Sequence, residues 1–79
     1  MPYGNMILYK HMDARESIGT ALRLARKKRK LTQFKLSQAA GINANYYAQI
    51  ERGEVNVSAK ILQMIIEVLK VKSSDILPY

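Results

Sequence analysis

The 79-residue sequence has no cysteine, no tryptophan and a single histidine, His11. The missing thiols exclude disulfides and thiolate metal sites, and one histidine cannot form a metal site alone. No apolar run approaches the roughly 18 residues that a membrane-spanning helix needs. Residues 1–12 also lack the apolar core of a signal peptide. We therefore expect one small cytoplasmic domain with no metal, no other cofactor and no membrane association.

Acidic residues are scarce as well, with six Asp and Glu against thirteen Lys and Arg, for a formal net charge of +7. Seven of the cations lie between Thr20 and Ala40, where no acidic residue occurs, and the densest part is RKKRK at 26–30. Such a patch favours polyanions, above all nucleic acid, although a solvated helix face has the same composition. Because the chain has no Ser/His/Asp set, no suitable carboxylate pair and no phosphate-binding glycine loop, we expect no enzymatic activity.

Capping residues and hydrophobic periodicity predict four to five short helices. Either Ser17 or, one turn earlier, Asp13 begins the first helix. The later N-caps are Thr32 before Gln33–Ala40, Asn43 before about Ala44–Arg52, Ser58 before Ala59–Lys70, and Ser73 or Ser74 before a last turn. Gly41 supplies positive φ for the turn between the second and third helices. The pattern indicates an all-α compact bundle, residues 13–79, preceded by an N-terminal arm, residues 1–12.

Two helices joined by a short turn that contains glycine form the helix-turn-helix arrangement. The run TQFKLSQAAGINANYYAQIERG, residues 32–53, resembles the phage Cro/repressor-like, or XRE, family, with Gln33, Gly41 and residues 51–53 at matching spacings. This resemblance covers roughly residues 17–76. Asn56-Val57-Ser58 and Tyr46 also resemble restriction–modification controller proteins, which are small autoregulatory dimers. The resemblance implies a lambda repressor-like fold and a DNA-binding transcription regulator.

The third helix is the candidate for base recognition. No charged residue occurs from Gly41 to Ile50. Asn45 and Gln49 lie four positions apart on one helix face, and their amides are able to form paired hydrogen bonds with adenine. The resemblance places both at base edges. Base contacts are expected from Ala44, Asn45, Tyr46 and Gln49.

The adjacent tyrosines divide between the two sides of this helix. Tyr46 is expected to point outward. Tyr47 is expected to point inward, with its ring in the core and its hydroxyl at the surface. Ser37, in the second helix, is expected to bond back to a helix carbonyl.

Phosphate contacts are expected from the start of the second helix and from the surrounding cations. Gln33 lies at a helix N-terminus, which favours anions, and the resemblance implies that it also supports the third helix. The other candidates are Arg26, Lys28, Lys30, Lys35 and Arg52. The resemblance further implies a structural ion pair between Arg26 and Glu51, which ties the first helix to the end of the third.

The fourth helix, AKILQMIIEVL, is apolar on nearly every side. The positions Ala59, Leu62, Ile65, Ile66 and Leu69 suffice for the core. A second stripe of Ile61, Met64 and Val68 then needs cover. Either a second subunit covers it, with Leu77 and Tyr79 contributing, or the arm residues 6–9 fold onto it. We favour a homodimer that binds a palindromic operator in double-stranded DNA, without a small-molecule effector.

Two other functions are compatible with the same residues. One is a protein-interaction module, such as an antitoxin or an anti-repressor partner, which uses the apolar stripe. The other is general nucleic-acid or RNA binding through RKKRK alone, which requires nothing of Asn45 or Gln49. The operator, the regulated genes and the sign of regulation cannot be read from the residues.

Overall fold

The computed structural model describes residues 13–78, in which the chain forms five α-helices and no strand. They are α1 (Ala14–Lys28), α2 (Gln33–Ala40), α3 (Ala44–Glu51), α4 (Ala59–Leu69) and α5 (Ser73–Ile76). The all-α prediction is confirmed. The predicted arm and Tyr79 lie outside the described residues. None of the five helices combines the length and the apolar character needed to cross a bilayer.

Side-chain caps begin the three central helices as the sequence predicts. Thr32 accepts from the backbone N–H of Lys35 at 3.0 Å, Asn43 from Tyr46 at 3.0 Å and Ser58 from Ile61 at 3.1 Å. Each bond satisfies one of the N–H groups that a helix leaves without a partner in its first turn. Both α3 and α4 end one residue earlier than predicted, at Glu51 and Leu69.

The first and last helices begin differently from the simplest prediction. The N-cap of α1 is Asp13, whose carboxylate accepts from the Glu16 N–H at 3.0 Å, so the earlier of the two predicted starts is correct. Before α5 the cap position is Lys72, and neither Ser73 nor Ser74 occupies it. The Asp75 carboxylate accepts from the Lys72 N–H at 3.0 Å, which supports this start from inside the helix.

A tight turn separates α2 from α3. Gly41 has a φ of 74°, as predicted, and its N–H donates to the Gln38 carbonyl at 3.1 Å. The next N–H, of Ile42, donates to Ser37 at 2.9 Å. These bonds satisfy the free carbonyls at the end of α2 and let α3 start in a new direction after only three residues.

The core lies between two layers of helices. Helix α1 packs on α3 and α5, and α2 packs on α3 and α4. The buried hydrophobic residues are Ile18, Leu22, Leu36, Ala40, Tyr47, Ile50, Leu62, Ile65, Ile66, Leu69 and Ile76. Ala59, which the periodicity assigned to the core, is exposed because it occupies the first, solvated turn of α4. Ser37 is buried and donates to the Phe34 carbonyl at 2.7 Å, as expected.

The closest approach between helices joins α1 to the end of α3. Gly19 is buried in the middle of α1. A Cβ at this position would meet the backbone carbonyls of Ile50 and Glu51, at 2.5 Å from the Ile50 oxygen. Only glycine allows the two backbones to pack at this separation.

Replacement of Gly19 by alanine is expected to destabilise the fold by about 1–3 kcal/mol, because overpacking forces the two helices apart. At an unconstrained helical site the same change is stabilising, so the sign is diagnostic. Urea denaturation followed by circular dichroism measures the difference. The control is Thr20→Ala, at the exposed neighbouring position, which should stay close to wild type. Equal or greater stability of Gly19→Ala would contradict the close contact.

Candidate nucleic-acid interface

Helix α3 presents one uncharged polar edge to solvent. Asn45 is exposed, and Ala44, Tyr46 and Gln49 are half-buried. The opposite side of α3 is buried and carries Tyr47, Ile50 and Glu51. The four residues predicted to contact bases therefore all keep accessible surface on one short helix.

The two adjacent tyrosines point in different directions. Tyr47 is fully buried, whereas Tyr46 rests partly against the core and keeps an accessible side. The prediction that the Tyr47 hydroxyl reaches the surface is wrong. That hydroxyl is buried and has no hydrogen-bond partner among the described residues. Burial raises the pKa of Tyr47 far above its ordinary value, and the nearby Glu51 carboxylate raises it further.

A buried carboxylate joins the first three helices. Arg26 in α1 donates to Glu51 in α3 through Nε at 2.6 Å and Nη2 at 3.1 Å, so the pair is bidentate. Gln33, the first residue of α2, donates its amide to the same carboxylate at 3.0 Å. The Nη1 of Arg26 also donates to the Leu31 carbonyl at 2.8 Å, in the turn between α1 and α2. Three of these hydrogen bonds constrain the orientation of α3 relative to α1 and α2, and the fourth holds the Arg26 side chain in place.

The carboxylate is charged despite its burial. The side chain of Glu51 is 2% exposed and that of Arg26 is 11% exposed. Burial alone raises the pKa of Glu51, but the hydrogen bonds from Arg26 and Gln33 outweigh it and hold the pKa below its ordinary value of 4.5. The hydrogen bonds to Glu51 likewise raise the pKa of Arg26. Charged hydrogen bonds of this kind are stronger and more directional than neutral ones.

A basic cleft lies beside this network. It has a volume of about 470 Å³ and is lined by Arg23, Arg26, Lys27, Gln33, Glu51 and Arg52. Glu51 is neutralised by Arg26, and Arg52 donates to Glu54 at 2.8 and 3.0 Å. Arg23 and Lys27 form no ion pair within residues 13–78. The cleft therefore carries a net positive charge adjacent to the N-terminus of α2, where backbone N–H groups also favour an anion.

The cations predicted to contact phosphate do not all lie in this cleft. Arg26, Gln33 and Arg52 line it, whereas Lys28, Lys30 and Lys35 do not. Lys28 lines a groove elsewhere on α1. Arg23 and Lys27 were not predicted. Arg23 lies three residues before Arg26 and four before Lys27, spacings that make it a neighbour of both on the helix surface, and this was the available signal.

The predicted dimer stripe on α4 is half-buried. Accessible surface remains on three α4 residues, Ile61, Met64 and Val68, and on Leu77, which follows α5. All of them except Met64 pack against the core. Tyr79 lies outside the described residues. The described part of the chain contains no group of three or more acidic, His or Cys side chains arranged to hold a metal ion.

Replacement of Glu51 by glutamine is expected to destabilise the fold by about 3 kcal/mol at pH 7, because it leaves the Arg26 charge buried without its partner. The folded pKa of Glu51 is depressed, so its contribution is present above pH 4.5 and is lost as the pH falls through the folded pKa. The difference between wild type and Glu51→Gln should therefore shrink in that acidic range. Urea denaturation as a function of pH measures it.

The matched control for this prediction is Glu54→Gln. Glu54 accepts from an arginine as Glu51 does, but its side chain is 49% exposed. Exposed ion pairs contribute little to stability, so this variant should resemble wild type at pH 7. A comparable loss in both variants would show that the burial of Glu51 is unimportant.

Comparison with known proteins gives concordant results. The profile of the helix-turn-helix family matches residues 22–76. The immunity repressor protein of Bacillus phage phi105 is 35% identical over 60 residues, which are 76% of this chain and 42% of that protein. The chain thus spans less than half the length of this relative.

Two solved structures are similar over most of the chain. The clp gene regulator ClgR from Corynebacterium glutamicum has a TM-score of 0.77 and 30% identity, over 80% of this chain and 67% of that one. The restriction–modification controller protein C.AhdI from Aeromonas hydrophila has a TM-score of 0.76 and 26% identity, over 78% and 94% of the two chains. The predicted resemblances to repressor-like and controller proteins are confirmed. Since the family profile matches more than half of its length, the chain belongs to the helix-turn-helix family.

Proposed function

We propose that this protein is a sequence-specific DNA-binding transcription regulator that inserts α3 into the major groove and binds a palindromic operator as a homodimer. The observation that carries the proposal is that the uncharged edge belongs to α3, the helix whose C-terminal residue Glu51 and cap residue Arg52 line the basic cleft. Phosphate contacts fix position and orientation, while base contacts provide sequence discrimination. The chain separates these two kinds of residue on adjacent surfaces.

The chemistry of the α3 edge suits base recognition. Asn45 and Gln49 carry amides that pair with adenine in the major groove, and Ala44 is able to meet a thymine methyl group. Tyr46 is able to donate to a phosphate or to press its ring against a sugar or a thymine methyl group. A lysine at any of these positions would add affinity for every sequence alike.

The residues around the buried Glu51 carboxylate are suited to contact the phosphate backbone of DNA. Gln33 has its side chain bound to Glu51, so its remaining donors and the first N–H groups of α2 are available for a phosphate. Arg23 and Lys27 provide the unpaired cations of the cleft. We assign to them the phosphate role that the sequence suggested for Lys28, which lies on another side of α1. A phosphate at Arg52 has to compete with Glu54.

The names of the relatives agree with a regulatory role, since they are an immunity repressor, a clp gene regulator and a restriction–modification controller. Dimerisation through Ile61, Met64 and Val68 is supported by the surface that these residues retain on α4. Two-fold symmetry then calls for half-sites about 34 Å apart, one turn of DNA. Autoregulation follows from the resemblance to controller proteins, and a DNA partner implies a cytoplasmic location.

Selection from random duplexes is expected to enrich a two-fold symmetric motif, because each subunit reads one half-site. Gln49→Ala should weaken binding to the selected site by about 1–3 kcal/mol and relax discrimination at one base pair per half-site. Fluorescence anisotropy with the selected and mismatched duplexes measures both effects. Binding to an unrelated duplex provides the internal control and should be unchanged.

Failure to enrich any motif, together with equal binding by Gln49→Ala, would rule out base recognition by α3. Enrichment of an asymmetric motif would leave base recognition intact and rule out the symmetric dimer. General nucleic-acid binding through RKKRK predicts the first of these results, so the experiment separates the two functions.

The double variant Arg23→Gln/Lys27→Gln is expected to bind every duplex more weakly and to depend less on salt. Each lost phosphate contact lowers the slope of log affinity against log salt by about 1, so the change should be about 2 per bound subunit. Anisotropy titrations at several salt concentrations measure the slope. Lys28→Gln, one residue further along α1 and outside the cleft, is the control. An equal change in this control would refute the assignment of the cleft.

A further inference from the structure

A second depression, which we call the apolar groove, lies between α1 and the C-terminal part of the bundle. Its volume is about 610 Å³. The floor includes Leu24 from α1, Leu69 from α4, Val71 from the connection and Ile76 from α5. Leu24 is 59% exposed and is one of two large hydrophobic residues with such exposure in the described chain, the other being Phe34. An exposed leucine that lines a concave apolar surface is typical of a binding site.

The apolar groove and the basic cleft lie on opposite faces of α1. The groove uses positions 21, 24, 25 and 28, which form one stripe of the helix. The cleft uses positions 23, 26 and 27. At 100° per residue the centres of the two sets are about half a turn apart. A molecule in the groove would therefore leave the surface that we assign to DNA accessible.

The rim of the apolar groove is cationic. Lys28, Arg29 and Lys70 line it and are exposed, against one acidic residue, Asp75. Asp75 already accepts from the Lys72 backbone N–H at 3.0 Å. The ion pairs of residues 13–78 include none of the three cations. An occupant that matches this groove is apolar on one side and acidic around it.

Charge also argues against the occupants that the chain itself could supply. A second copy docked by two-fold symmetry places Lys28, Arg29 and Lys70 near the same residues of its partner, which is repulsive. Residues 1–12 include the apolar run 6–9, but they carry Lys10 and no acidic residue. Neither occupant neutralises the rim. Nucleic acid would neutralise it but offers no apolar face for Leu24.

We infer that the apolar groove binds an acidic amphipathic segment of another protein while the opposite face of α1 remains available to DNA. The apolar side of the segment covers Leu24 and Val71, and its carboxylates meet Lys28, Arg29 and Lys70. The few residues that line the groove offer a smaller contact than a standard protein interface, so the complex is of the weak, exchanging kind. The inference does not depend on whether α3 recognises bases.

The test uses the full 79-residue chain labelled with ¹⁵N and three synthetic peptides. The first is a 14-residue peptide with leucine at i, i+3, i+4 and i+7 and mainly glutamate elsewhere. The second has lysine in place of each glutamate, and the third is residues 1–12 of this chain. The acidic peptide is expected to cause saturable shifts of the amides around Leu24 and Val71, with affinity that falls as salt is added. The other two should cause none.

Two variants distinguish binding in the apolar groove from non-specific hydrophobic binding. Leu24→Ser should weaken binding of the acidic peptide at least tenfold, because it removes the apolar contact at an exposed site. Phe34→Ser, which changes the other residue of equal exposure, should leave binding unchanged. The spectra of both free variants report whether they are folded.

Several results would overturn the inference. They are the absence of saturable shifts, equal binding of the lysine peptide, or binding of peptide 1–12 in the groove. Shifts centred on Arg23 and Lys27 would show that the peptide occupies the basic cleft instead. Concentration-dependent shifts of the groove amides without peptide would identify a second copy as the occupant, and shifts there on addition of a DNA duplex would identify DNA.

Discussion

The bidentate pair between Arg26 and Glu51 is the interaction on which the placement of α3 depends. Its carboxylate is almost fully buried, so it needs every donor that reaches it. Two of those donors belong to α1 and one to the first residue of α2. Because all three helices meet at one charge, α3 cannot rotate or slide without leaving a buried charge unsatisfied. Such a pair is weak evidence for net stability, but it is a strong constraint on orientation.

Helix α1 gives this constraint its rigidity and also supplies most of the charge around it. Gly19 lets the α1 backbone approach the end of α3, about two turns before Arg26 reaches across to Glu51. The two contacts lie at successive levels of the same helix, so they fix both the separation and the tilt of α3. Two further cations of α1, Arg23 and Lys27, line the same cleft as Glu51 at the end of α3. In the function that we propose, affinity for phosphates and discrimination between bases are therefore properties of different helices.

Local chemistry made much of the fold predictable, and tertiary packing explains what was missed. Thr32, Asn43 and Ser58 cap helices because their side chains reach a backbone N–H three residues on, which is a purely local fact. The burial of the Tyr47 hydroxyl depends on how the other helices pack around α3, whereas the periodicity of α3 indicates only that the ring points inward. The same limit applies to the cleft, since a count of cations in RKKRK does not show which of them α1 turns toward Gln33. The pair of Arg26 and Glu51, 25 residues apart, was suggested by family resemblance and not by any local pattern.

The distribution of the cations around α1 shows why the charge of a sequence segment alone is a poor guide to the surface of this protein. Lys27 and Lys28 are neighbours in sequence, yet one lines the basic cleft and the other lines the apolar groove. A helix turns by 100° per residue, so a run of five cations necessarily spreads over more than one face. Some of these cations lie beside Gln33 at the N-terminus of α2, where we propose a phosphate contact, whereas those around Leu24 border an apolar surface. The chemistry of each lysine is therefore set by its neighbours across α1, and the run RKKRK serves two surfaces with different requirements.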